Sequence, residues 1–391
     1  MTTTHQMHLP EHAIKLIASF RQMRAEQPVH YHEPSGTWHV YRYADVQRVL
    51  SDHLTFSNDI ADRVPLPFGL DVFVPGNFSW MDPPRHRELR RLLSQAFSTR
   101  MIAGLAPKIA TVTGDLLDQV DGDGFDLVRS LAYPLPVTVI ADLLGVPNTD
   151  RVLFARWADI LLNGPASHAA AEPAPDLNEM RSYFLEHIRR SRRNHDDNLI
   201  GKLTEAEVDG MRLTDDQIVG FAGLLLISGH ITTTMTMGNT VLCLDAHPDA
   251  LAAIRADHER IPAMMEELWR FQPPVLSTAR LIKRDTVLGG HEIPAGTFVT
   301  AWILSGNRDE RQFADPDRFD IERSPNAHLG FGHGIHFCLG APLARLEATI
   351  AIRQLLNRFP KLRVNRDIPP VFHRSMAILG PTSLAVTESA S

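Results

Sequence analysis

The chain has 391 residues, enough for one large domain or two ordinary ones, and its 44% hydrophobic and 22% charged residues are those of an ordinary folded protein. Thirty-nine basic against 46 acidic residues leave a net charge of −7, which argues against general nucleic-acid binding. Two cysteines exclude a disulfide framework, "MTTTHQMHLPEHAIK" lacks the basic-then-apolar pattern of a leader, and no apolar run reads as reaching the roughly 18 residues of a membrane span, so a cytoplasmic protein with no membrane span is expected.

In chain order, residues 1–20 read as a loosely held N-terminal segment. "PVHYHEPSGTWHVYRY" alternates on both sides of Pro34-Ser35-Gly36 and predicts a hairpin. "ADVQRVLSD" predicts a helix, and the proline-rich stretch from Asn58 to Pro84 a long irregular loop. "RHRELRRLLSQAF" predicts a basic helix, and Asn163–Leu177 a second irregular stretch. One long helix is expected from Thr214 to about Leu244, capped by Thr214, Asp215 and Asp216, and another over Pro262–Phe271. "TVLGGHEIPAGTFVTAWIL" predicts short strands with turns at Gly289-Gly290 and Pro294-Ala295-Gly296, and "APLARLEATIAIRQLLNRF" an amphipathic helix. No repeat and no separating linker is visible, so one domain over 1–391 is expected, mainly α with small β-sheets.

The stretch "GFGHGIHFCLG", Gly330 to Gly340, places one of the two cysteines among four glycines. Glycines at 332, 334 and 340 permit positive φ and the close approach of a flat ligand. A helix beginning after Cys338 turns amides and a positive dipole end toward the sulfur, favouring the thiolate, which is the metal-binding form. Three readings follow. Zinc has His333, His336 and Cys338 nearby, but structural zinc takes four ligands and the other cysteine, Cys243, lies in an apolar helix. Haem needs one protein ligand. The plain alternative is a glycine-rich turn around a buried cysteine.

"FGHGIHFCLG" resembles the haem-binding signature of the cytochrome P450 family, and "APLARLE" resembles its soluble bacterial branch. The resemblance extends from about Asp82 to Leu384. It implies a single P450-type domain with a long central helix over haem b (iron protoporphyrin IX). It further implies Cys338 as thiolate axial ligand, Phe331 near the sulfur side, and Gly332 in the loop. His86 and Arg90 of "DPPRHRELRR", Arg280 of "STAR" and His336 then hold the haem propionates; His86 and Arg90 alone read rather as a solvated basic helix face. Arg85, Arg87 and Arg91 point elsewhere and would meet an acidic ferredoxin.

Glu267 and Arg270 in "EELWR" stand at i, i+3. Spacing alone allows a surface ion pair; the resemblance implies a buried network completed by Arg318 of "DPDRFD". In "LLLISGHITTT" the resemblance places Ser228 and Gly229 at small-residue positions and Thr232 at the hydroxyl that supports oxygen activation and guides protons. The threonines also read as helix packing through backbone bonds. A mid-helix glycine costs about 1 kcal/mol relative to alanine, so Gly229 needs a reason, which the close approach of haem or dioxygen would provide. The family usually has an acid immediately before this threonine; here stands Ile231, which cannot relay protons. His230 is expected to pack toward neighbouring helices.

Family topology puts the substrate walls in five segments, among them residues 63–80, 163–180, "PPVLS" and "SMAIL". Val72, Phe73, Val74 and Leu225 are wall candidates, as are Val275, Leu276, Met376 and Ile378, and together they describe a lipophilic site. The expected activity is haem-thiolate monooxygenation, hydroxylating or epoxidising a bulky lipophilic natural product, polyketide- or macrolide-like. O2 would be the oxidant, with electrons from ferredoxin reductase and ferredoxin. The alternatives are a non-catalytic haem protein that binds a partner and a peroxide-driven or phenol-coupling haem enzyme.

Overall fold

In the computed structural model, residues 9–61, 63, 67–163, 177–373 and 375–388 are described. About 56% of the chain is helical, with small sheets, as the periodicity requires. The chain forms two compact units: Met1–Ser57, Thr113–Ala132 and Thr232–Ser391 make the first, and Asn58–Val112 with Tyr133–Ile231 the second.

In the first unit the expected hairpin pairs Val29–His32 with Thr37–Val40 in register Val29↔Val40, turning at Gly36 with φ +64°. A five-stranded sheet continues through Phe298–Ala301, Thr278–Ile282 and Phe56–Ser57. Alternation sends Val29, Val40, Val299 and Ala301 to one face, where Val46, Val49 and Leu50 of the helix Tyr43–Ser51 cover them. A second cluster gathers Tyr41 and Trp302 with Ala13, Ile17 and Phe20 of the helix Glu11–Glu26. The N-terminal segment is therefore not loosely held throughout: from Glu11 onward it is a core helix. Residues 1–8 lie outside the described residues.

In the second unit, the stretch expected as an irregular loop contains 3-10 turns at Pro67–Gly76 and Phe78–Trp80. Gly76 lies against the long helix so closely that a side chain there would collide with the Gln217 carbonyl. The basic helix spans Arg85–Ala96. The helix Asp215–Ala246 opens on a reciprocal cap: the Gln217 amide donates to Thr214 Oγ1 at 3.2 Å and the Thr214 amide donates to Gln217 Oε1 at 2.9 Å. By length, and by the mean hydropathy of 1.6 in its most apolar window, this helix would pass for a membrane span, although Gly, Ser, His and Thr interrupt its apolar run. Of its most apolar window 61% is buried inside the protein, which is how a core helix satisfies an apolar surface without lipid.

Candidate active site

Cys338 is exposed and follows the single turn Gly334–His336. Its amide donates to the Phe331 carbonyl at 2.9 Å, closing the loop on itself. Gly332 and Gly334 have φ of +76° and +71°, values that side-chain-bearing residues rarely adopt. Gly340 differs from expectation: with φ −80° it is the right-handed N-cap of the helix Ala341–Arg358. Its role is to start that helix, whose first amides lie next in sequence after the sulfur-bearing loop. His336 is half-buried in the turn. Among the described residues there is no group of three or more His, Cys, Asp or Glu able to hold a metal ion, which leaves the zinc reading without its ligands. One thiol in a glycine-opened loop fits haem, which asks the protein for a single ligand.

Sequence reasoning missed what lies beside Phe331. The Arg345 guanidinium stacks 4.6 Å from the Phe331 ring centre and makes a two-point bond to Glu266 at 2.6 and 2.9 Å. His328 Nε2 lies 3.0 Å from the same carboxylate. Burial pushes the Glu266 carboxyl up, but Arg345 and His328 outweigh it and bring it down to about 2. Trp269 packs against Phe331 at 4.7 Å, and the Arg345 guanidinium lies 5.8 Å from the Trp269 ring. The signal was in the sequence as Glu266 beside Glu267 in "EELWR", but nothing local says which acid faces which arginine.

The carboxylate of Glu267 is buried with its partners, and Arg318 is not the arginine whose side chain reaches it. Arg270 donates to both Glu267 oxygens at 2.7 Å, and both residues are 0% exposed. The further arginine is Arg323, whose Nε lies 3.3 and 3.2 Å from the two oxygens. Arg318 is exposed and contributes only its carbonyl, which accepts from Arg270 at 2.9 Å and from Arg323 at 3.3 Å. The backbone turns at Asp315 with φ +45°, and the Arg318 amide bonds back to the Asp315 carbonyl. This turn brings the Arg318 carbonyl to the arginines and leaves its side chain in solvent. The Asp320 amide and Asn326 Nδ2 complete the carboxylate's partners at 2.8 and 3.2 Å.

Arg280 is buried in its strand and donates to the Thr278 hydroxyl at 2.9 Å and the Ala279 carbonyl at 2.8 Å. In the second unit, His86 and Arg90 share one helix face, as i, i+4 spacing requires: both lie against the Phe78 ring, at 5.9 and 5.6 Å. His86 is buried, which removes the solvated-helix reading for it. Arg85, Arg87 and Arg91 are exposed, and Arg91 pairs with Asp209 at 2.8 Å.

Along the long helix, Leu225, Gly229 and Thr232 are half-buried and Ser228 is exposed, while Leu226, His230, Thr233 and Thr234 are buried. Of these, only Ser228 stands open to solvent. The structure gives Gly229 a packing reason of its own: an added Cβ would stand 2.9 Å from Ile140 Cδ1. Thr234 is a packing threonine, donating to the Ala132 carbonyl at 2.9 Å. His230 packs inward as expected: Nδ1 bonds the Leu226 carbonyl, its ring stands edge-on to Tyr133, and burial brings its pKa to about 4, so it is neutral.

Of the wall candidates, Val72, Val74, Leu225, Val275 and Ile378 are half-buried and Met376 is 48% exposed. Phe73 and Leu276 are core instead. Phe73 covers Gly223 in the space where a side chain would stand, and Leu276 belongs to the cluster with Phe20 and Trp302. Most of the lid expected at 163–180 lies outside the described residues.

The family model described as Cytochrome P450 matches residues 137–387. A cyclomarin C epoxidase, CymV, from Salinispora arenicola is 43% identical over 372 residues, covering 94% of each chain. An erythromycin C-12 hydroxylase from Saccharopolyspora erythraea is 43% identical over 376 residues, covering 94% of this chain and 93% of that one. The ligand-free structure of cytochrome P450 TbtJ1 superposes with a TM-score of 0.89 at 43% identity, over 97% of this chain and 98% of the other. With this likeness running through nearly the whole length, and a lone exposed thiol set in the glycine-opened loop, the chain belongs to the cytochrome P450 family as a monooxygenase, for which a haem held by a cysteine thiolate is implied.

Proposed function

We propose that Cys338 is the haem ligand and that the enzyme hydroxylates or epoxidises a bulky lipophilic natural product, polyketide- or macrolide-like, with electrons from a ferredoxin system in the cytoplasm. The observation that carries the reading is the exposed Cys338 thiol, held by its amide bond to Phe331 between left-handed glycines and a helix start. An epoxidase and a hydroxylase of named natural products among the relatives support both reaction outcomes. The half-buried apolar residues at 72, 74, 225, 275 and 378 support a lipophilic substrate.

Haem, when bound, supplies the chemistry that activates dioxygen for insertion of one oxygen atom. The chain's own residues do the rest. Arg280 and His336 offer cationic or hydrogen-bonding partners to propionates, and His86 and Arg90 occupy the family positions for the same task. Thr232 holds a proton at Oγ1, and Ser228 on the previous turn offers a second hydroxyl. Ile231 provides no carboxyl, and His230 is neutral and tied to Leu226. Protons therefore reach Thr232 by water or through a hydroxyl or carboxyl on the substrate. Exposed Arg85 and Arg87 give an acidic ferredoxin a basic contact.

The substrate class is tested by titrating the ferric holoprotein with macrolides, linear polyketides, terpenoids, steroids and fatty acids while following the Soret band. A saturable high-spin shift with the first two groups is expected; a shift with steroids or fatty acids alone contradicts the polyketide-like assignment. The proton route has its own test. Ile231→Asp places a carboxyl beside Thr232 and is expected to raise the ratio of product to peroxide. An unchanged ratio means that the carboxyl does not enter the route.

A further inference from the structure

Two wall segments run side by side in the first unit. The Leu276 amide donates to the Ala377 carbonyl at 2.7 Å, the Leu379 amide donates to the Pro274 carbonyl at 2.8 Å, and Val275 and Ile378 form an antiparallel bridge between them. This is a short pairing, and Pro273 and Pro274 have no amide to extend it. Something else must fix its place.

Asn239, 0% exposed on the long helix, meets both segments at once. Its Nδ2 donates to the Leu379 carbonyl at 2.9 Å and to the Gln272 carbonyl at 3.2 Å. One carbonyl ends the second segment and the other immediately precedes the first. Both amide protons are thereby used. The amide's orientation is set from behind: Gln272 Nε2 donates to Asn239 Oδ1 at 3.1 Å, and Cys243 Sγ, one turn further along the helix, donates to Gln272 Oε1 at 3.3 Å. The backbone is also pressed onto the helix at this point. A side chain at Gly380 would collide with Met235, and one at Gly238 would collide with Pro381. Met235, Gly238 and Asn239 share a helix face at i, i+3, i+4, and Asn239 stands seven residues, or about 10 Å, from Thr232 on nearly the same bearing.

We propose that Asn239 is a positioning residue for substrate specificity: it fixes the distance between the paired segments 273–277 and 375–379 and Thr232, and so decides how bulky a hydrophobic ligand fits and which of its carbons is presented. The proposal rests on the reading of Val275 and Ile378 as pocket wall. It predicts a size-dependent defect. Small ligands that touch only the iron ignore the segments; bulky ones reach them.

The test uses ferric holoprotein, with imidazole as the small probe and clotrimazole as the bulky one, both read from the Soret band. Asn239→Ala leaves two carbonyls without their donor and is expected to weaken clotrimazole about tenfold while imidazole changes by less than about twofold. Gln272→Met keeps both donors but frees the amide to turn, and is expected to act in the same direction more weakly; it carries the test if Asn239→Ala takes up no haem. Ile378→Ala separates the two readings. If Ile378→Ala alters clotrimazole affinity and neither Asn239→Ala nor Gln272→Met does, the wall stands and the positioning role is overturned. If Ile378→Ala has no effect on clotrimazole, the wall reading fails and the proposal with it. An equal loss of both ligands in both network variants marks a general structural role and also overturns it.

Discussion

Glu267→Ala yields protein that carries little haem and unfolds about 3–5 kcal/mol more easily, because truncation strands two buried or nearly buried guanidinium groups. Arg270 loses its two 2.7 Å bonds and Arg323 its pair at 3.3 and 3.2 Å, while the Asp320 amide loses its acceptor. The carbonyls of Asn307 and Pro316 still accept from Arg270, but carbonyls do not neutralise a charge. The ratio of Soret to protein absorbance and a urea titration measure both effects, and a normal haem complement would contradict the assignment. The same pair of measurements separates the two candidate arginines. Arg323→Ala behaves like a milder Glu267→Ala. Arg318→Ala is near neutral, since its exposed side chain leaves the accepting carbonyl in place.

Glu347→Gln flattens the fall of stability with rising pH. Glu347 lies 2% exposed on the helix that follows Cys338, its Oε1 has no hydrogen-bond partner among the described residues, and burial alone raises its carboxyl from 4.5 to about 8. Below pH 4.5 the folded and unfolded chains both hold this proton. Between 4.5 and about 8 the folded chain keeps it and the unfolded chain releases it. Stability therefore drops by about 1.4 kcal/mol per pH unit across that window, to a total of at most about 5 kcal/mol, and is level above it. Glutamine has the same shape and no proton to lose. Urea midpoints at pH 5, 6.5 and 8.5 are expected to converge at the acid end and to favour Glu347→Gln increasingly toward the alkaline end. Parallel profiles would mean that the carboxyl is hydrated in the folded protein.

Much of the site was legible because it is local. The left-handed φ at Gly332 and Gly334 is written in the glycines themselves, and the shared face of His86 and Arg90 follows from helical spacing alone. The cap at Thr214 is a four-residue pattern. What failed were choices that depend on where a remote segment lies. "DPDRFDIER" holds two arginines five residues apart, and only the turn at Asp315 decides that Arg323 reaches Glu267 while Arg318 lends a carbonyl. Phe73 and Leu276 are apolar in the same way as Val72 and Val275. That they pack as core depends on Gly223 and on the Phe20–Trp302 cluster, which stand far away in sequence.

By itself the sequence determined the fold class, the glycine-opened loop around Cys338 and the presence of isoleucine at 231, since these depend on residue identity, periodicity and intervals shorter than two helical turns. The tertiary structure alone decided which charges pair, that Glu266 serves Arg345 and His328 while Glu267 serves Arg270 and Arg323, and that Asn239 joins residues 272 and 379. Such pairings follow from burial. A charge or amide taken out of water must find a partner wherever the fold has placed one, and local sequence does not encode that place.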